Sequence, residues 1–374
     1  MTDSIQAVVD RLHQLLPSYL SWVAPLVKGT LDYLSGPFVG DGGRYPLYGI
    51  VAAFVITACM FFLFRERAET RRAGDFFRYC FPREIYWNKS LWVDLKVGFV
   101  NTFVGRFFNL TWRINTALIA SGITWLLTAM LGPSAHQASW GLVSITLFAM
   151  AMSAASDFGY FLFHWTAHKF PPLWAIHKLH HSAEVMTPLT AARVHPLERA
   201  FMGPFMSLTT GVLVGPALYF YAGTTSAPAI FGLELPGLIF FGLGHLLHHS
   251  HVWVYFGPVI GRIIVSPAQH QIHHSSLPHH LDKNFAEHWA IWDTLFGTLY
   301  LPKGRETLKL GLAGVAKQPH RGLITAYAMP MLESVVVAMS IGWRWIVRSA
   351  SVMHRRVTGL LGMTHAAEHA PDLH

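Results

Sequence analysis

The stretch HWTAHKFPPLWAIHKLHH, residues 164–181, decides how this chain is read. It holds two spaced histidine groups, His164-x3-His168 and His177-x2-His180-His181. Two more follow, His245-x3-His249 and His270-x2-His273-His274. Between His164 and His288 lie sixteen of the 23 histidines, with His195, His248, His251, His279, His280 and His288 outside the groups. Residues three and four apart share one face of an α-helix. The spacing therefore predicts helices that each turn two or three imidazoles to one side. Neutral imidazole is the commonest side-chain metal ligand and suits iron, zinc and copper. Four such faces offer about ten nitrogens, and a single zinc takes about four. The pattern predicts two metal ions, with His164, His168, His177, His180, His181, His245, His249, His270, His273 and His274 as candidate ligands.

A nitrogen-only set of this size argues against structural zinc, which takes four ligands and often sulfur. It also argues against calcium and magnesium, which take oxygen. Redox iron fits, while zinc and copper stay open. Bis-histidine haem would leave the two His-x2-His-His triplets unexplained. Bound histidines usually donate their other ring nitrogen to a carboxylate or carbonyl. Asp157, two turns before His164, is the first choice for that role, and an aspartate inside an apolar span is costly and usually functional. Asp157 and His195 are candidate catalytic residues. Glu184, Glu198, Asp282, Glu287 and Asp293 are weaker candidates as histidine partners.

The composition places these groups in a membrane. Of 374 residues, 52% are hydrophobic and 13% charged, with a mean hydropathy of +0.35. A soluble domain is about 25% charged. Thirteen Trp and twelve Tyr suit interfacial belts. The two cysteines, Cys59 and Cys80, imply neither a disulfide framework nor a thiolate metal site. A net charge of +8 speaks first to topology, and no nucleic-acid partner is expected. Neither a dinucleotide-binding nor a P-loop motif occurs. Residues 1–43 lack the order of a cleavable signal peptide, and Val8 to Pro17 reads as a short helix lying on the membrane.

Spans are expected at Leu47–Phe64, Ile114–Leu131, Trp140–Phe163, Ala200–Tyr221 and Pro228–Leu247. The connection after the first carries ten Lys and Arg between Arg65 and Arg113. That excess marks the cytoplasmic side. The turns Gly132–Ala138 and Gly223–Ala227 have none, so all four histidine groups fall on the cytoplasmic face. Leu91–Leu110 reads as an interfacial helix, and Ala326–Val347, with Glu333 and Arg344, as an interfacial or docking helix, with a sixth span as the alternative. The tail from His365 reads as disordered. The expected fold is all-α: a polytopic membrane helix bundle of about four to six spans, under a cytoplasmic histidine-rich helical cap holding a dimetal site. Residues 1–43 form an N-terminal interfacial segment, 44–302 the histidine-box domain, and 303–374 an interfacial helix and tail.

The order of the boxes resembles the fatty acid hydroxylase / sterol desaturase superfamily of integral-membrane di-iron enzymes. Asp157-Phe-Gly-Tyr160, Ala192-Arg193-Val-His195-Pro-Leu-Glu198 and Trp292-Asp293-Thr-Leu-Phe-Gly297-Thr298 are similar to its signatures, over residues 90–302. The resemblance implies O2-dependent hydroxylation or desaturation of a C–H bond, with two non-haem Fe ions as cofactors. It implies a lipid substrate from the bilayer, sterol-like or long-chain. It also implies an external electron donor such as a ferredoxin or a cytochrome b5-type protein. From the residues alone, a histidine-rich metal transporter and a haem-bearing electron carrier are the competing functions.

Overall fold

A computed structural model describes residues 47–64, 73–134, 141–221, 236–315 and 318–360. The expected surface helix at 8–17, the first part of the span at 228–247 (residues 228–235) and the tail from 365 lie outside the described residues. Every regular element among those described is helical. Helix α1 is Leu47–Cys59, continued by a π-helical turn Met60–Phe64. Helix α2, Ala73–Cys80, leads to α3, Lys89–Leu131, whose first turn is capped by the Asn88 side chain accepting from the Ser90 amide at 2.9 Å. Helices α4, Leu142–Lys169, and α5, Pro171–His181, meet at Phe170. Proline disfavours a helical residue before it, so Pro171 stops α4 and starts α5. Helix α6 is Pro196–Phe220 and α7 covers residues 236–242. The short helices α8, Pro267–His273, and α9, Ile291–Phe296, precede α10, Leu323–Leu360.

Among the described residues, four helices are long and apolar enough to cross a membrane: Thr111–Leu131 within α3, then α4, α6 and Leu323–Met353 within α10. The apolar stretch Tyr48–Phe62 is shorter than these. Two expectations change. Leu91–Leu110 is not a separate surface helix: α3 runs unbroken for 43 residues, because nothing between Asn88 and Gly132 breaks it. At 1.5 Å per residue it is about 65 Å long, about twice the bilayer core. Helix α10 is also longer than expected, at 38 residues. Its start packs on α5, with Ala326 fully buried beside Val93, Val97 and Leu179. Lys178 of α5 pairs with Glu333, which explains one of the two charges that argued against a span there.

Helix α6 is the hub, packed against both α3 and α4. Gly211 and Gly215, one turn apart, let α3 approach closely. A Cβ at Gly215 would lie 2.6 Å from Ile123 Cβ, and one at Gly211 would lie 2.7 Å from Ile119 Cγ2. Small residues at this spacing are how helices pack where lipid removes the hydrophobic drive to associate. Polar contacts line the same seam: Thr124 Oγ1 donates to the Gly215 carbonyl at 2.9 Å, and Ser207 Oγ to the Trp112 carbonyl at 3.1 Å. Gly215→Val should force α3 away at about 1–3 kcal/mol, seen as a lower Tm in detergent; an unchanged Tm would mean that the seam is loose.

The segment after α5 is tied to α3 by a buried ion pair. Arg193, 1% exposed, donates from Nε to Asp94 Oδ1 at 2.5 Å, and Asp94 is fully buried. Arg193 Nη2 also reaches the carbonyl of Ser90 and, at 2.8 Å, its hydroxyl. Thr190 Oγ1 donates to Asp94 Oδ2 at 2.7 Å.

Candidate metal centre

The histidines gather where the ends of α4, α5 and α8 meet the segment 245–251. His164 and His168 occupy the last two turns of α4, beyond Phe163 where the sequence placed the end of the span. His177, His180 and His181 close α5, and His270 and His273 close α8 with His274 as its cap. Helices α5 and α8 begin alike, with proline in the first turn, and α8 adds the Ser266–Gln269 capping box. Each therefore has a fixed start and delivers its imidazoles from a defined last turn.

Two groups of ring nitrogens result. His164, His168, His177, His181 and His273 form one, with ligand atoms all within 4.8 Å of one another. His180, His249, His270 and His274 form the second. The triplets are divided crosswise. His177 and His181 serve the first group, while His180 serves the second. His270 and His274 serve the second, while His273 serves the first. Adjacent residues point about 100° apart around a helix, so one triplet faces two centres at once. The expectation that each triplet turns all its rings one way is corrected by this split.

The segment 245–251 departs further. Gly244 has φ +90°, a 3-10 turn covers His245–Leu247, and no α-helix carries the pair. Four-residue spacing then no longer aligns side chains. His249 joins the second group, and His245 lies with Glu287 and His288 in a separate one. His248 is buried and stacks on His270, ring centroids 5.2 Å apart. The Nε2 atom of His251 lies 2.7 Å from the Tyr79 carbonyl.

The Nε2 atoms converge. His181 Nε2 lies 3.1 Å from that of His177 and 3.2 Å from that of His168. In the second group, His249, His270 and His274 form a triangle of Nε2 atoms with edges of 2.9, 3.1 and 3.2 Å. A neutral imidazole has one N–H and one lone pair. Three rings so placed cannot satisfy all three edges by hydrogen bonds: at least one edge sets two lone pairs or two N–H groups against each other. A cation removes the conflict: nitrogens about 2.0–2.1 Å from a common ion lie about 3 Å apart when they are neighbouring ligands. His164 Nε2 and His273 Nε2 are also buried without a hydrogen-bond partner. The donor set thus fits two metal ions.

The opposite ring nitrogens are held from outside. His164 Nδ1 donates to the Phe285 carbonyl at 2.7 Å, His273 Nδ1 to the Lys283 carbonyl at 2.8 Å, and His177 Nδ1 to Glu198 Oε1 at 2.9 Å. A proton on Nδ1 leaves the Nε2 lone pair pointing inward, as ligation requires. Burial holds His273 down to about 3, and burial with neighbouring imidazoles lowers His180, His181, His270 and His274. The rings are therefore neutral at pH about 7. Glu198→Gln should lower metal affinity about 10–100-fold, seen by competition with a chelator; unchanged affinity would show that the carboxylate does not orient His177.

The signature residues hold this frame rather than touch its centre. Asp157 does not reach His164. Its carboxylate accepts from the backbone amides of His288 and Trp289 at 3.0 and 2.9 Å, and lies 3.2 Å from His288 Nδ1. Burial alone would lower His288, and this contact with Asp157 raises it. Asp293 accepts from the amides of Phe285 and Ala286 at 2.7 and 2.9 Å and from Thr298 Oγ1 at 2.6 Å. Two carboxylates thus pin residues 285–289, the loop whose carbonyl orients His164. Both nitrogens of His195 are engaged: Nδ1 accepts from the Leu197 amide at 3.1 Å and Nε2 donates to the Tyr327 carbonyl at 2.9 Å. Of the weaker candidates, Glu198 reaches a cluster histidine directly. Asp282 lies 3.8 Å from His168 Nδ1 while pairing with Lys169, and Glu184 pairs with Arg321. The Phe285 and Lys283 carbonyls were not foreseen. Their one signal was Asp282-Lys-Asn284, where both outer residues have positive φ, 59° and 55°, which Asp and Asn tolerate best.

Residues 149–298 match the fatty acid hydroxylase family. The alkylglycerol monooxygenase of Xenopus tropicalis is 30% identical over 152 residues, which is 41% of this chain and 30% of that protein. The human alkylglycerol monooxygenase is 32% identical over 142 residues, 38% of this chain and 28% of that protein. A very-long-chain aldehyde decarbonylase of Oryza sativa is 27% identical over 210 residues, 54% of this chain and 31% of that protein. The chain spans less than a third of the length of these relatives. No solved structure matches. The matched segment holds every histidine of both clusters, so the likeness to the fatty acid hydroxylase family rests on the region that builds the two nitrogen groups.

Proposed function

We propose that the chain is a membrane oxidoreductase that uses O2 to hydroxylate or desaturate a lipid at a site with two irons. The observation that carries this reading is the pair of adjacent nitrogen clusters, one of five histidines and one of four. His164, His168, His177, His181 and His273 would hold one iron, and His180, His249, His270 and His274 the other, with His245 outside both. Bound iron supplies the O2 reduction that cleaves an unactivated C–H bond, chemistry that side chains alone do not perform. The residues supply position: Glu198 and the carbonyls of residues 283 and 285 fix ring orientation, and Asp157 and Asp293 fix the loop behind them. The spanning helices would admit the substrate from the bilayer, and an external ferredoxin or cytochrome b5-type donor would supply electrons.

The relatives narrow the substrate. Their names point to glycerol ethers and very-long-chain aldehydes, which favours a long-chain ether or aldehyde lipid over a sterol. A transporter fits less well, because carriers place ligands near the bilayer midplane and these histidines sit at helix ends. The basic connection after α1 supports a cytoplasmic centre. The test is metal content and absorption of the detergent-purified protein, followed by O2-dependent turnover of lipid extracts. About two irons per chain, no Soret band and a product that needs O2 are expected. A haem spectrum, or no bound metal, would end the proposal.

A further inference from the structure

We propose that His279, His280 and Glu306 form a third metal site, for a zinc-class divalent ion, that staples the loop behind the dimetal centre. It is independent of the proposed catalytic activity. His280 is fully buried, and its Nε2 lies 2.8 Å from Glu306 Oε2. That separation equals the spacing of neighbouring ligands around an ion with bonds of about 2.0–2.1 Å. The other ring nitrogen, Nδ1, is buried with no hydrogen-bond partner. The exposed His279 ring packs against His280 with centroids 4.1 Å apart, and the three residues bring ligand atoms within 4.8 Å of one another. Tyr300 Oη donates to both Glu306 oxygens at 3.2 Å and fixes the carboxylate. Two imidazoles and a carboxylate form a donor set used by zinc and by iron(II).

The placement gives the site a purpose. His279 and His280 stand just before Asp282 and Asn284, the two residues with left-handed backbone. The carbonyls of Lys283 and Phe285, which orient His273 and His164, follow at once. Glu306 lies 26 residues from His280, beyond α9. An ion here would close that loop and hold the carbonyls in register without touching the dimetal centre.

Iron-loaded full-length protein in detergent would be equilibrated with buffered Zn2+, dialysed, and its zinc and iron counted by mass spectrometry. His279→Ala and Glu306→Gln should each bind about one zinc fewer per chain than wild type, with iron unchanged. Added Zn2+ should raise the Tm of wild type by several degrees and leave that of His279→Ala unmoved. Equal zinc in wild type and both variants, or no zinc beyond that at the dimetal clusters, overturns the proposal. A chain without iron that still binds zinc through His279 would end the oxidase reading and leave this one standing.

Discussion

His273→Ala should bind about one metal ion fewer and lose turnover by more than the roughly 10–100-fold that loss of a ligand's outer partner costs. His180→Ala should do the same at the other cluster. The two positions look equivalent in sequence, since each belongs to a His-x2-His-His triplet. In the structure they serve opposite clusters, and each is the sole contribution of its triplet to that cluster. His273→Ala leaves four histidines in its cluster, and His180→Ala leaves three in the other. The smaller cluster should therefore show the larger loss of affinity. Metal content with single-turnover rates for both variants checks this. Full metal and full turnover in His273→Ala would mean that the crosswise division does not describe a working site.

The largest expected loss of stability lies elsewhere, at Arg193→Ala. Asp94 and Arg193 are both almost completely buried. Removing the guanidinium strands a carboxylate in the interior, and burial already pushes Asp94 above its ordinary value. Breaking a buried pair from one side costs about 3–5 kcal/mol. The protein should lose most of its cooperative melting in detergent. Joint replacement, Asp94→Asn with Arg193→Met, should recover much of the loss, because the uncompensated charge is gone. A single variant that melts with the wild type would show that water reaches the pair.

The spans in α3, α4 and α6 and the histidine groups were legible because they repeat: apolar length, and histidine at helical spacing. The crosswise split was not, because the spacing of a triplet gives its angles around a helix and not what stands on either side. The place of His245 was obscured by Gly244, whose positive φ ends the helical register on which the His-x3-His reading rested. Asp157 was singled out as a partner for His164, but its partners are backbone amides 131 and 132 residues away, and no local pattern encodes them. Arg193 and Glu198 stood in a legible motif whose separate tasks emerge from contacts with α3 and α5. The length of α10 was underestimated because Glu333 counted as a lone charge, when Lys178 neutralises it.

Helix α4 also works as a depth gauge. From Leu142 to His164 it rises about 33 Å, close to the roughly 30 Å thickness of the hydrocarbon layer. With Leu142 at the opposite face of the bilayer and the helix upright, the first imidazole would stand where the oily interior ends and the headgroups begin. A lipid lying upright in the same leaflet would bring to it carbons near its polar end, and would keep its methyl end half a bilayer away. Oxidation close to the headgroup would need no bending of the chain, and oxidation at the tail would require the lipid to be drawn out of its leaflet. The position of the new oxygen or double bond along the product, read by fragmentation mass spectrometry, would measure how the lipid lies.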